Sequence, residues 1–263
     1  MTPFVYHRPT QLADALALLR DEQARPIAGG MTLIPTLKQG LAQPAALVDL
    51  AGIDVLYGIR LADGVIEIGA MTRHYDVATS PLVIAHLPGL ADLAGQIGDL
   101  QVRNRGTIGG SVANNDPAAD YPAAVLALCA EVVTDRRSIS ADAFFTGMFE
   151  TALEPGEIVT AVRFPAPRRC AYAKFANPVS GYALAGVFVG VHAEGTRVAV
   201  TGAGPCVFRA SAIEAVLARD PAAASFDAAL LGPDGLASDL HASAAYRAQL
   251  ARVLAARAVA RLT

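Results

Sequence analysis

Apolar and polar positions recur along this chain in two periods, and the switches between them mark its elements. In TQLADALALLR, residues 10–20, Leu12, Leu16 and Leu19 fall on one helical face, with Thr10 placed to cap the first turn. RPIAGG then reads as a strand stopped by Gly29 and Gly30, MTLIPTLKQG as a short helix and AALVDL as another strand. Together they make a compact βαβ-like opening. VLYGIRLADGVIEIGAMT carries the strand period on both sides of Ala62-Asp63-Gly64, a hairpin turn signal. A helical stretch runs from Asp76 to Ile97 with breaks at Pro81 and Pro88. The segment QVRNRGTIGGSVANNDPAADYP reads as a loop, followed by the apolar helix AAVLALCA and the strand EVVTD.

The pattern changes after residue 165. AYAKFANP, YALAGVFVGVH and TRVAVTGAG read as three antiparallel strands, with a turn at Glu194-Gly195. VFRASAIEAVLARD and SAAYRAQLARVLAARAVARL read as amphipathic helices packed on that sheet. The expected division is an N-terminal βαβ unit over residues 1–54, a central α+β unit over 55–165, and a C-terminal sheet-plus-helices unit over 166–263.

Composition narrows the class. Hydrophobic residues make up 53% of the 263 and charged residues 17%, which fits a chain with packed cores and excludes a disordered one. A net charge of −3 gives no basic footprint for nucleic acid. The longest apolar run, VSGYALAGVFVGVH, is too short to span a bilayer, and MTPFVYHRPT has no apolar signal core. Cys129, Cys170 and Cys206 are far apart and belong to no metal or disulfide spacing. A soluble cytoplasmic protein is expected, with Cys129 packed in the apolar helix. His7, His74, His86, His192 and His241 share no ligand spacing and read as structural or exposed, although His74 follows a strand and could lie near a cofactor.

Two glycine segments carry the candidate chemistry. AGGMT, Ala28 to Thr32, lies between a strand and a helix, and TIGGS, Thr107 to Ser111, lies in the central unit. Adjacent glycines permit positive φ and close ligand approach, and successive N–H groups can converge on phosphate oxygens. Thr32, Thr107 and Ser111 add hydroxyls. Either segment alone is equally a turn. Neither is a Rossmann G-x-G-x-x-G or a Walker A loop, so a dinucleotide would need another fold. Beyond TIGGS, Asn114, Asn115, Asp116 and Asp120 suit ribityl or ribose hydroxyls. Asp120 is equally a helix cap, and the two asparagines can serve their own turn. Arg103 and Arg105 precede TIGGS and could pair with a partner subunit or with Asp99, the structural pairing being the simpler reading.

AGGMTLIP, IGAMTRHYDVATSPLV, GDLQVRNRGTIGGSVANNDPAADYPAAVLAL, KFANPVSGYALAGV and TGAGPCVFR, in this order, resemble the FAD-binding medium subunit of molybdenum hydroxylases. That family includes carbon monoxide dehydrogenase medium subunits and the FAD subunits of bacterial xanthine dehydrogenases. The resemblance implies a vanillyl-alcohol-oxidase-type (PCMH-like) FAD fold followed by a C-terminal domain of the carbon monoxide dehydrogenase flavoprotein type. It implies one FAD, with its diphosphate held by Ala28, Gly29, Gly30, Met31, Thr32 and Leu33 and by Thr107, Ile108, Gly109, Gly110 and Ser111. Asn114, Asp116 and Asp120 would serve the polyol or ribose, Lys174 would stand near the flavin, and Tyr182 would lie against its ring. Lys174 could instead face solvent at a strand edge, and Tyr182 could be a core aromatic. Met31 departs from a position where many relatives carry a polar residue. No catalytic side chain is implied. The implied partners are a large subunit with the molybdenum cofactor and a small subunit with [2Fe–2S] clusters, in a dimer of heterotrimers. The competing readings are a stand-alone flavin reductase or oxidase of the same fold and a nonenzymatic assembly subunit.

Overall fold

Residues 2–223 and 225–262 are described by a computed structural model. The opening unit runs β1 (Val5–His7), α1 (Leu12–Leu18), β2 (Ala24–Ile27), α2 (Leu33–Lys38) and β3 (Ala46–Asp49). Its three strands are parallel, in the order β1-β3-β2. Ala15, Leu19, Val48 and Leu50 join Ile53, Leu56, Met71 and Ile158 in its core, so the unit is sealed by the segments that follow it. Thr10 does not cap α1. Gln11 holds the cap position in extended conformation and makes no side-chain cap bond, because the helix begins one residue later than the pattern suggests.

Next come β4 (Ile59–Ala62), β5 (Val65–Gly69), α3 (His74–Thr79), α4 (Pro81–His86), α5 (Pro88–Gly95), α6 (Leu100–Arg103), α7 (Ile108–Asn114), α8 (Tyr121–Ala127), β6 (Glu131–Thr134), β7 (Ser138–Ser140), α9 (Ala141–Phe144), β8 (Phe145–Gly147), β9 (Glu150–Thr151) and β10 (Val159–Pro165). Asp63 (φ 51°) and Gly64 (φ 75°) make the two-residue β4–β5 turn, whose mirror-image twist matches the flanking strands. Pro81 and Pro88 begin α4 and α5 at the first helical position, where a missing N–H costs nothing. An antiparallel sheet in the order β4-β5-β10-β6-β7 lies under these helices.

The expectation of a loop over residues 101–122 is wrong in part, since the segment contains most of α6, all of α7 and the start of α8. Asp99 caps α6 by accepting from Val102 N at 2.8 Å, and Thr107 caps α7 by accepting from Gly110 N at 3.2 Å. Cys129 falls just past α8, half-buried at φ 53°, with Sγ 3.8 Å from His192 Nε2.

The last layer contains β11 (Arg169–Ala176), β12 (Ala183–Val191), β13 (Thr196–Thr201), β14 (Phe208–Arg209), α10 (Ser211–Leu217) and α11 (Ala244–Ala260). The strands form one antiparallel sheet in sequence order. Its two faces belong to different cores. Tyr172, Phe188 and Ala199 pack with α5 and α8, whereas Val187, Val189 and Val200 pack under α10 and α11. A strand covered on both sides reads as a continuous apolar run, which is why ALAGVFVGV lacks alternation. Among the described residues no helix is long and apolar enough to cross a membrane.

Candidate functional site

A cavity of about 640 Å³ opens where the three sheets meet, within the size range of ligand pockets. Fourteen of the sixteen residues expected at a cofactor line it: Ala28 through Leu33, Thr107, Gly109, Gly110, Ser111, Asn114, Asp116, Asp120 and Tyr182. Ile108 does not. It points into the core and is fully buried, as the first residue of α7 must be to anchor that helix. Lys174 does not line the cavity either.

The two glycine segments touch. A Cβ on Gly29 would overlap the Arg105 carbonyl, and one on Gly110 would come 3.5 Å from the Ala28 Cβ. Yet the segments differ in what they offer. In the second, Ile108 N donates to Thr72 O (3.0 Å), Gly109 N to Ala70 O (2.9 Å), Gly110 N to Thr107 Oγ1 and Ser111 N to Thr107 O (3.0 Å). Its donors are spent inside the chain. In the first, the N–H groups of Gly29, Gly30, Met31, Thr32 and Leu33 meet no acceptor among the described residues. Gly29 and Gly30 are buried, and buried donors without acceptors require a partner; Leu33 is half-buried, whereas Met31 and Thr32 are exposed and open to water. Gly30, at φ 74°, lets this run curl toward the cavity. AGGMT is thus the donor side of the site, and TIGGS is the close-packed wall that faces it. The residues present fit a dinucleotide: a run of free donors for phosphate, hydroxyls and carboxylates for a polyol, and apolar lining from Leu50, Met71, Ile97 and Ile158 for rings.

Asp120 is buried beside the cavity floor. It occupies the cap position of α8 but makes no side-chain cap bond. Its carboxylate accepts from Tyr172 Oη and, at 3.0 Å, from Lys174 Nζ, which also donates to Gln96 O at 3.2 Å. Burial pushes the Asp120 carboxyl upward, against the pull of the Lys174 ammonium and the Tyr172 hydroxyl. Lys174 is therefore neither a solvent-facing strand residue nor a cavity residue. Its charge reaches the site through Asp120.

Tyr182 is not a core aromatic. It stands half-exposed at the cavity rim, before β12 begins, in a loop where Asn177 N donates to Tyr182 O at 2.7 Å. Burial of its inner part raises the phenol, with the Asp116 and Asp120 carboxylates adding to the rise. Asp116 also accepts from Ala118 N at 2.8 Å, closing its own turn. Asn115 is buried away from the cavity and donates to Gly147 O and Glu150 O, both at 2.8 Å. Arg103 donates to Ile97 O and Gly98 O rather than to Asp99, whose carboxylate is taken by the α6 cap.

Arg25 and Glu157 line the cavity and were not expected from sequence, and His74, read as structural or exposed but able to lie near a cofactor, lines it as well. Glu157 accepts from Thr134 Oγ1 at 2.7 Å and from Arg137 at 3.0 Å. Burial alone would raise its carboxyl, but Arg137, the Glu154 N–H and Thr134 hold it at about 2. His74 is 5% exposed, and burial together with the Arg103 charge lowers its imidazole to about 4. The only sequence signal for it was its place just after IGAMT.

A family model described as the FAD binding domain in molybdopterin dehydrogenase matches residues 2–167. The chain is 36% identical over 275 residues to the carbon monoxide dehydrogenase medium chain of Hydrogenophaga pseudoflava, covering 97% of this chain and 96% of that one. It is 36% identical over 272 residues to the nicotine 6-hydroxylase medium subunit of Paenarthrobacter nicotinovorans, covering 97% and 95%. Among solved structures, quinoline 2-oxidoreductase from Pseudomonas putida 86 matches with a TM-score of 0.90 at 31% identity, covering 99% of this chain and 96% of that one. The fold and cavity thus define a flavoprotein of α+β architecture. This chain belongs to the family of FAD-binding medium subunits of molybdenum hydroxylases.

Proposed function

We propose that this chain is the FAD-carrying, electron-passing subunit of a molybdenum-containing hydroxylase or dehydrogenase complex. It receives electrons from [2Fe–2S] clusters of a small partner subunit and delivers them to a terminal acceptor, while a large partner subunit holds the molybdenum cofactor and the substrate. The assembly is a cytoplasmic dimer of such heterotrimers. The observation that carries the reading is the run of five unpaired N–H groups, Gly29 to Leu33, on one wall of a cavity whose opposite wall is Thr107 to Ser111.

Bound FAD would supply the redox chemistry that side chains cannot, joining one-electron donors to a two-electron acceptor. The side chains have the supporting tasks. The AGGMT donors hold the diphosphate, Asp116 and Asp120 take polyol or ribose hydroxyls, and Tyr182 covers the rim. The apolar lining keeps water from the ring.

An absorption spectrum tests this. The chain purified alone should show flavin bands near ~370 and ~450 nm, the mark of a bound flavin cofactor. Iron–sulfur absorbance should be added only when the chain is purified with its partner subunits. A Gly110→Asp variant should lose the flavin, because a side chain there wedges between Thr107 Oγ1 and Ala28. A wild-type chain without flavin in either preparation overturns the proposal.

A further inference from the structure

His74 stands first in a stack of three residues that ends at the donor segment. Its backbone N–H donates to Gly106 O at 3.0 Å. The Nε2–Cδ2 edge of its ring lies against Gly106, so closely that a Cβ at 106 would overlap both atoms. On the far side, Gly106 in turn faces Gly29, where a Cβ would sit 2.8 Å from the Gly106 Cα and would also overlap the Arg105 carbonyl. The imidazole is clamped from behind by Tyr121, at a ring-centroid distance of 5.3 Å. Arg73 pairs with Thr107 as an antiparallel bridge, so the residue just before His74 is tied to the residue just after Gly106. Nothing in this stack is free to slide.

A buried imidazole whose Nδ1 finds no partner among the described residues costs stability, so packing alone does not account for it. An apolar side chain would fill the same space more favourably. The ring is placed where its reach sets how far Gly106 stands from the core, and hence how far TIGGS stands from AGGMT.

We propose that His74 is a positioning residue for the cofactor. It acts through Gly106 to fix the separation of the two glycine segments, and so the fit of the dinucleotide between them. The inference rests on the cavity being the FAD site.

The test is a double-mutant cycle on FAD affinity, with Gly106→Ala, His74→Ala and the double variant. Apoprotein is titrated with FAD, and folding is checked by circular dichroism. Gly106 has an ordinary negative φ, so alanine there strains no backbone and its only serious overlap is with His74. Each single variant should bind FAD at least tenfold more weakly. The double variant should bind no worse than His74→Ala alone, because removing the ring makes room for the new methyl group. If His74→Ala fails to fold, His74→Ser, equally small, enters the same cycle with the same rescue expected. Wild-type affinity in the folded His74 variant, or losses that simply multiply, would overturn the inference and leave the cavity assignment intact. Failure of the wild-type chain to bind FAD would overturn both.

Discussion

Lys174 Nζ meets Asp120 Oδ2 at 3.0 Å, with both side chains closed to solvent. The pair joins β11 of the C-terminal sheet to the segment entering α8, and Tyr172 completes it. Breaking one side of such a pair leaves a buried charge without compensation. Lys174→Met should therefore destabilise the apoprotein by ~3–5 kcal/mol, whereas Lys174→Met combined with Asp120→Asn should recover most of that loss. Urea unfolding of the three proteins checks this. Equal losses in the single and double variants would show that the lysine stem, not its charge, is what matters.

The first glycine segment should be intolerant at Gly30. This residue sits at φ 74°, and a Cβ would press 2.6 Å from Ile34 Cδ1. Gly40, also at φ 74° but with open space around it, serves as a control. Alanine at either site should cost ~1–2 kcal/mol of stability through the left-handed backbone. Only Gly30→Ala should lower FAD affinity, by at least tenfold. Flavin content after gel filtration reads the difference.

Acid should weaken the fold through His74. Its folded pKa of about 4 lies below the ordinary histidine value of 6.5, so the unfolded chain takes up a proton first. The stability of the neutral imidazole is fully present above about pH 6.5 and is lost as pH falls toward 4, by roughly 2–3 kcal/mol. A His74→Leu variant should lack this component of the profile between pH 6.5 and 4. An unchanged slope in chemical denaturation at stepped pH would contradict the assignment.

Tyr182 should matter to the cofactor and little to the fold. It stands half-exposed at the rim, outside the strand ladder. Tyr182→Ala should change apoprotein stability by no more than ~0.5 kcal/mol, as surface substitutions do. FAD should bind several-fold more weakly, and the bound flavin should fluoresce more strongly once a neighbouring aromatic ring is removed. Thermal melting and flavin fluorescence separate the two effects.

Local signals made much of this architecture legible. Asp63-Gly64 announced its turn because only a few residues accept two successive positive φ values. Pro81 and Pro88 marked breaks in a helical stretch for an equally local reason, and each opens a new helix. The helices within residues 101–122 were missed because Gly109 and Gly110 resemble breakers. They lie in the first turn of α7, where Ala70 leaves no room for a Cβ at 109. Lys174 and Asp120 could not be paired from sequence, since 54 residues separate them and each had a plausible local role. Which glycine segment has donors to spare was likewise invisible, because TIGGS spends its own on Thr72 and Ala70, residues nearly forty positions upstream.

The C-terminal sheet, with one face in each of two cores, has a consequence for biosynthesis. A nascent chain that has emerged only through β10 carries both glycine segments but lacks Lys174, Tyr172 and Tyr182. It holds an uncompensated Asp120 and a bare patch where Phe188 will lie. The flavin pocket is then unfinished on the ribosome. Loading of the cofactor has to wait until β11 and β12, which bring Tyr172, Lys174 and Phe188, have folded back.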